Sequence, residues 1–181
     1  MARHQFGEGD YAYFGEPLPP VVGLLREALY ARLAPVANRM ARALGRSTTY
    51  PSRLESYRRL CRDAGQTKPT PLLLRYREGG YNRMHRDLYG ALAFPLQATI
   101  LLSRAGIDHE GGEFVLLEDT ARRQARVTVV PLARGEMVIF PVRERPVEGA
   151  RGPIRATMRH GVSRLTRGER HALGIIFHDA A

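Results

Sequence analysis

The chain has 181 residues, 44% of them hydrophobic, which is enough to bury the core of one domain and excludes wholesale disorder. No apolar run reaches the roughly 18 residues that span a bilayer, residues 1–8 lack the apolar segment of a signal peptide, and the lone Cys61 cannot close an internal disulfide, so a cytoplasmic protein with no membrane association is expected. Basic residues outnumber acidic ones 28 to 18, a formal net charge of +10 that favours anionic partners, nucleic acid first; the plainer alternative is a basic enzyme with an anionic cosubstrate.

Residues 20–45 read as a helix, because Val22, Leu25, Leu29, Leu33, Val36, Met40 and Leu44 recur every three or four positions. Pro35 falls inside that stripe and is expected to kink or split it. Ser52-Arg53-Leu54-Glu55 has the form of a capping box and opens a second helix that runs to about Asp63. Ala64-Gly65 and the prolines Pro69 and Pro71 end it. Cys61, at helical spacing from Leu54 and Tyr57, reads as core filler rather than a nucleophile.

From residue 72 the segments become short and β-prone: 72–76, 97–103, 113–117, 127–132, 136–141, 156–164 and 170–178, separated by glycines and polar turns. Helices followed by strands predict an α+β fold: a double-stranded β-helix (jelly roll) with N-terminal buttressing helices. One domain over 1–181 is expected, with 1–70 mainly helical support and 71–181 the jelly-roll core.

His85-Arg86-Asp87 supplies an imidazole and a carboxylate at strand spacing, so both can face inward while Arg86 faces away. His160, from a late strand, supplies a second imidazole. Two histidines and one carboxylate leave coordination positions open, the ligand set of non-haem Fe(II) oxygenases. Arg170 follows ten positions after His160 and offers a planar fork for a dicarboxylate. A hairpin with a three-residue loop at 166–168, Gly168 in the left-handed position, would pair Arg164 with Arg170. His160, Val162, Arg164, Arg170, Ala172 and Gly174 would then share one face, the last two leaving room for a cosubstrate. Tyr76 could hydrogen-bond a carboxylate or be an ordinary core aromatic.

His4, His109, His171 and His178 are spare; His109, beside Gly111-Gly112, reads as a surface-loop histidine, although those glycines could let backbone approach a ligand. Arg143, Arg145, Arg151, Arg155 and Arg159 sit among Gly and Pro as in a mobile loop, and Arg122, Arg123 and Arg126 form a second basic cluster. Either could bind phosphate or be a solvated face.

Tyr76-Arg77-Glu78-Gly79-Gly80-Tyr81 ahead of His85-Arg86-Asp87, then Gly111-Gly112-Glu113-Phe114, Gly135-Glu136-Met137-Val138-Ile139-Phe140 and the His160-to-Arg170 segment, resemble the 2-oxoglutarate/Fe(II) dioxygenase superfamily. The histidine-to-arginine spacing resembles its prolyl-hydroxylase-like branch. Gly65-Gln66-Thr67-Lys68-Pro69-Thr70-Pro71-Leu72-Leu73-Leu74-Arg75-Tyr76, Asp87-Leu88-Tyr89-Gly90, Phe94-Pro95-Leu96-Gln97, Arg159-His160-Gly161-Val162-Ser163 and Leu173-Gly174-Ile175-Ile176-Phe177-His178-Asp179-Ala180 resemble, over nearly the whole chain, a bacterial family of small oxygenases linked to oxidation of damaged DNA. The resemblance implies Fe(II) held by His85, Asp87 and His160, with 2-oxoglutarate and O2 in the open positions and Arg170 on the far carboxylate. Tyr76 sits where alkylated-DNA repair dioxygenases place a tyrosine that contacts 2-oxoglutarate. Those enzymes place their arginine farther beyond the distal histidine. A dioxygenase acting on nucleic acid, the same chemistry on a protein, peptide or small molecule, and a non-catalytic metal-binding β-barrel are the readings the sequence leaves open.

Overall fold

The computed structural model describes residues 1, 7–121 and 123–181; His4 and Arg122 lie outside the described residues. Among the described residues two helices, α1 (Pro20–Ala43) and α2 (Leu54–Asp63), lie among twelve strands. These are β1 (Gly7–Glu8), β2 (Asp10–Tyr13), β3 (Leu72–Arg77), β4 (Tyr81–His85), β5 (Leu96–Leu101), β6 (His109–Gly111), β7 (Phe114–Thr120), β8 (Arg123–Val130), β9 (Met137–Pro141), β10 (Glu144–Val147), β11 (Ile154–Val162) and β12 (Leu165–Ile175). Sheet I runs β1-β4-β11-β7-β8 with β10 on β11; sheet II runs β2-β3-β12-β5-β9 with β6 on β12. Every pairing between these strands is antiparallel. This is the expected jelly roll. The segment expected to be helical support also contributes β1 to sheet I and β2 to sheet II.

α2 ends as expected at a left-handed glycine, and α1 ends in the same way at Gly45. Gly65 N–H donates to Arg62 O and Gln66 N–H to Cys61 O; Gly45 and Arg46 make the same pair of bonds to Arg42 and Ala41. The starts differ from expectation. Ser52 does not cap α2; Arg53 is the N-cap and makes no side-chain cap bond. Pro35 leaves α1 a single helix. Its flanking Leu33, Ala34 and Ala37 are buried, and that packing outweighs the roughly 3 kcal/mol that an interior proline costs. The buried face of α1 is also turned by one residue from the leucine stripe: Val22, Arg26, Tyr30, Leu33, Ala34, Ala37 and Ala41 face inward, with Leu25, Leu29, Val36 and Met40 at its border. Alanines permit close approach to the sheet, and Arg26 has a buried partner in Asp179.

Sheet II separates two environments by the period-2 alternation of its strands. Ala98 and Ile100 on β5 and Leu173 and Ile175 on β12 pack outward with the helices, around Tyr30, Tyr57, Cys61, Phe94 and Phe177. The intervening residues, Gln97 and Thr99 on β5 and Arg170, Ala172 and Gly174 on β12, line a cavity inside the roll. The helices thus stiffen the wall that carries the inward-facing polar residues.

Candidate metal centre

β4 ends at His85, and antiparallel pairing sets His160 of β11 directly opposite it. Asp87 lies two residues beyond the end of β4, yet turns back to the same point. One ligand atom from each of His85, Asp87 and His160 falls within 4.8 Å of the other two. His85 Nε2 is 3.4 Å from Asp87 Oδ1, His160 Nε2 is 3.3 Å from Oδ2, and the imidazole centroids are 4.2 Å apart.

His85 Nδ1 lies 2.7 Å from the carbonyl of Arg83, which can only accept, so Nδ1 carries the ring proton and Nε2 keeps a lone pair. His160 is held between Phe140 and Phe114, at ring-centroid distances of 4.7 and 5.9 Å. Asp87 accepts from Tyr89 Oη–H at Oδ1 (2.7 Å) and from Gln97 Nε2–H at Oδ2 (2.9 Å). Among the described residues no lysine or arginine pairs with Asp87. Two imidazole lone pairs therefore face a carboxylate with no fixed cation between them, an arrangement that a divalent ion satisfies. The donor set fits Fe(II).

The electrostatics agree. Burial disfavours charge on Asp87, but His160 and His85 together hold its carboxyl well below the usual range. Burial likewise opposes protonation of His85, yet the Asp87 carboxylate outweighs it and raises the imidazole pKa. For His160 burial wins and the pKa is lowered, which keeps the ring neutral and ligand-ready.

Arg170 is 2% exposed and, among the described residues, forms no ion pair. Burial lowers its pKa, with Tyr76 and Glu113 opposing the shift. Its guanidinium carbon lies 5.7 Å from the centre of the Tyr76 ring, and burial pushes the Tyr76 phenol up to about 12. Gly112, at φ +71°, makes space for this arginine, because a Cβ there would stand 3.0 Å from Arg170 Cδ and 2.3 Å from Leu165 Cδ1. The cavity, about 360 Å³, is lined by all three triad residues together with Tyr76, Gln97, Phe114 and Arg170. Tyr11, Tyr13 and Tyr89 line it as well, with ring centroids 5.5 Å apart for Tyr11–Tyr13 and 6.3 Å for Tyr13–Tyr89.

Residues 9–180 match the Oxygenase-NA family, described as an oxygenase catalysing oxidative methylation of damaged DNA. The chain belongs to the Oxygenase-NA family. Two uncharacterized proteins of Mycobacterium tuberculosis, from strains CDC 1551 and H37Rv, are each 44% identical to it over 165 residues, covering 91% of this chain and 71% of theirs. The fold is that of a Pseudomonas putida prolyl-4-hydroxylase, which aligns over 99% of this chain and 77% of its own at a TM-score of 0.54 and 16% identity.

Several expectations about this Oxygenase-NA chain need correction. β11 and β12 do not form a hairpin. Ser163 and Arg164 carry the chain from sheet I to sheet II, and Arg170 pairs with Tyr76 of β3 instead. Arg170, Ala172 and Gly174 still face the cavity that holds His160 and Val162, but Arg164 does not: it lies over the Tyr81 ring, 5.9 Å from its centre. Gly168 is no hairpin turn; a Cβ there would meet Asp108 O at 2.1 Å. Arg86 lines the cavity rather than facing away, and its Nε donates to Met158 O at 2.9 Å.

His109 is buried in β6, not in a surface loop, with Nδ1 3.0 Å from Gly111 O. Gly111 and Gly112 let Arg164, Leu165 and Arg170 approach closely. The 143–159 segment contains the antiparallel β10–β11 pair. Arg145 and Arg126 both pair with Glu118, and Arg46 and Arg155 with Glu144, so part of the basic cluster is neutralised. Sequence reasoning gave no role to Gln97 or Tyr89. Both lie in segments that carried the family resemblance, yet nothing in the sequence aims them at Asp87.

Proposed function

We propose that the chain is an Fe(II)- and 2-oxoglutarate-dependent oxygenase acting on nucleic acid. The observation that carries this is one cavity in which a three-donor cluster faces a buried arginine lacking any ion pair among the described residues. His85, Asp87 and His160 would hold the metal and leave positions open, and Arg170 would take the far carboxylate of the cosubstrate, with the Tyr76 ring beside it. Bound Fe(II) supplies O2 activation coupled to oxidation of 2-oxoglutarate to succinate and CO2, and so oxidation of a substrate C–H bond. The chain supplies the rest. Tyr89 and Gln97 fix the Asp87 carboxylate. Phe114 and Phe140 set the plane of His160. Leu72, Leu74 and Ile176 help make a dry wall around the reacting groups.

Support for a nucleic-acid substrate comes from the family description, the net charge of +10 and the tyrosines lining the cavity. Unstacked bases pile onto such rings, and a base must leave the duplex to reach a buried centre. The chemistry this site supports would remove a methyl group: hydroxylation of an N-methyl base gives a hemiaminal that loses formaldehyde. A second reading, hydroxylation of a protein, peptide or small molecule, draws on the arginines that Glu118 and Glu144 already neutralise.

Succinate release with Fe(II) and 2-oxoglutarate tests the reaction, and no metal-dependent release points to a binding barrel without turnover. Affinity for alkylated single-stranded DNA against salt tests the substrate. A steep fall of log K with log salt is expected, and a flat plot rejects phosphate contacts and leaves the second reading.

A further inference from the structure

We propose that Gln97 is a positioning residue that presents Asp87 and His160 to the metal with their lone pairs converging. The inference rests on the reading of the triad as a metal centre. Gln97 comes from β5 in sheet II and reaches across the roll to ligands carried by sheet I. Its neighbours Leu96, Ala98, Ile100 and Leu101 are buried and apolar, and Gln97 itself is 2% exposed. A primary amide in such a place is costly unless its polar atoms are paired.

Only one end of this amide is paired. Nε2 lies 2.9 Å from Asp87 Oδ2 and 3.3 Å from His160 Nε2, whereas Oε1 is buried with no partner among the described residues. The orientation is forced: turned over, the amide would set Oε1 against the Asp87 carboxylate, acceptor against acceptor. The unpaired oxygen, a cost to the fold, is the consequence of keeping the nitrogen on the ligands. A leucine or methionine would fill similar space without that cost, so packing does not account for the residue.

The nitrogen's work follows from its being a donor only. When His160 Nε2 accepts from it, the ring proton lies on Nδ1, which is buried without a hydrogen-bond partner among the described residues. The Arg83 carbonyl sets His85 in the same tautomer. Both imidazoles therefore stand ready to ligate before an ion arrives. The second amide proton holds Asp87 Oδ2 while Tyr89 holds Oδ1, so the carboxylate cannot swing away. When His160 gives its lone pair to an ion, the bond to Asp87 remains.

Co(II), followed by its visible absorption, is the probe. Wild type, Gln97→Leu and Gln97→Met are titrated with it, and thermal unfolding is measured on the metal-free proteins. Both variants are expected to bind Co(II) about ten- to a hundredfold more weakly, and to unfold without metal near the wild-type temperature, because loss of the orphaned oxygen offsets loss of the donor to Asp87. A packing role predicts the opposite pattern, lower unfolding temperature with unchanged affinity. Co(II) affinity within about twofold of wild type in a folded variant overturns the proposal, since outer-sphere partners of real ligands cost more than that. Wild-type protein that fails to take up Co(II) sinks the metal reading itself, a result distinct from an indifferent Gln97.

Discussion

Arg170 and Tyr76 face each other across the β3–β12 ladder, and the guanidinium carbon stands 5.7 Å from the centre of the phenol ring. A cation–π contact of this kind recovers on the order of 2 kcal/mol when desolvated, which does not offset burial of an arginine. The structure keeps a cation in a dry site at a stability cost, and that cost is relieved when an anion enters. Arg170→Met should therefore weaken 2-oxoglutarate binding about ten- to a hundredfold, the loss of charged hydrogen bonds worth about 1.5–3 kcal/mol. Unfolding temperature without cosubstrate should stay level or rise. Anaerobic calorimetric titration measures the first and thermal denaturation the second; unchanged affinity in a folded variant would remove Arg170 from the cosubstrate site.

His85→Ala, Asp87→Ala and His160→Ala should each abolish stable metal uptake, read by metal analysis after dialysis, and turnover with it. The pH dependence of uptake is set mainly by His85. Asp87 is held low and stays ionised, and His160 is lowered and stays neutral. The pKa of His85 is raised above 6.5. In the metal-free protein, its protonated form stabilises the fold below that value, and the contribution is lost as pH rises through the raised pKa. Metal needs the neutral ring, so affinity runs the other way, strengthening with pH through the same window. A Co(II) affinity that is flat across that window would contradict the assignment.

The jelly roll and the convergence of His85, Asp87 and His160 were legible because strands announce themselves by alternation, and because ligand chemistry restricts residue types. The connection from β11 to β12 was not. Ser163 and Arg164 look like the approach to a hairpin, but whether two strands pair or part at a bend is decided by what lies beside them, here β3 and β5 for β12 and β4 and β7 for β11. Arg170 still faces inward because alternation along β12 fixes its side whatever its partner. The α1 stripe marked the helix and packs on the core, but it did not show the centre of the buried face: Arg26 belongs to the core only because Asp179, far along the chain, meets it there. Gln97 was invisible for the same reason, since its meaning lies in Asp87.

His178 should make the fold acid-sensitive. Its ring is fully buried, Nδ1 accepts from Phe94 N–H at 3.3 Å, and Nε2 has no partner among the described residues. Burial lowers its pKa from 6.5 to about 4. Between those values the unfolded chain binds a proton and the native protein does not, so stability falls as pH drops from 6.5 towards 4. The full loss is on the order of 3 kcal/mol, and below the folded pKa it stops growing. Urea unfolding at several pH values should show this slope in wild type and a shallower one in His178→Asn, whose carbonyl can still accept from the backbone. Equal slopes would place the acid sensitivity elsewhere.

Arg26 ties α1 to the strand end that follows the site. Its Nε donates to Ile176 O (2.9 Å), and Nη2 donates to Phe177 O (3.1 Å) and Asp179 Oδ1 (2.7 Å). Asp179 Oδ2 takes Arg58 Nε at 3.0 Å. Removing Arg26 leaves two carbonyls without this donor and a fully buried carboxylate with only its more exposed partner. Arg26→Met should cost about 3–5 kcal/mol, the range for breaking a buried pair from one side. Arg58→Met should cost less, because Arg58 is 20% exposed and Asp179 keeps Arg26. Ile176 also lines the cavity, so loosening this end should raise the cosubstrate KM in Arg26→Met before it unfolds the protein. Urea midpoints in the order wild type, Arg58→Met, Arg26→Met check the energetics. A reversed order would mean that Arg58, at the surface, carries Asp179.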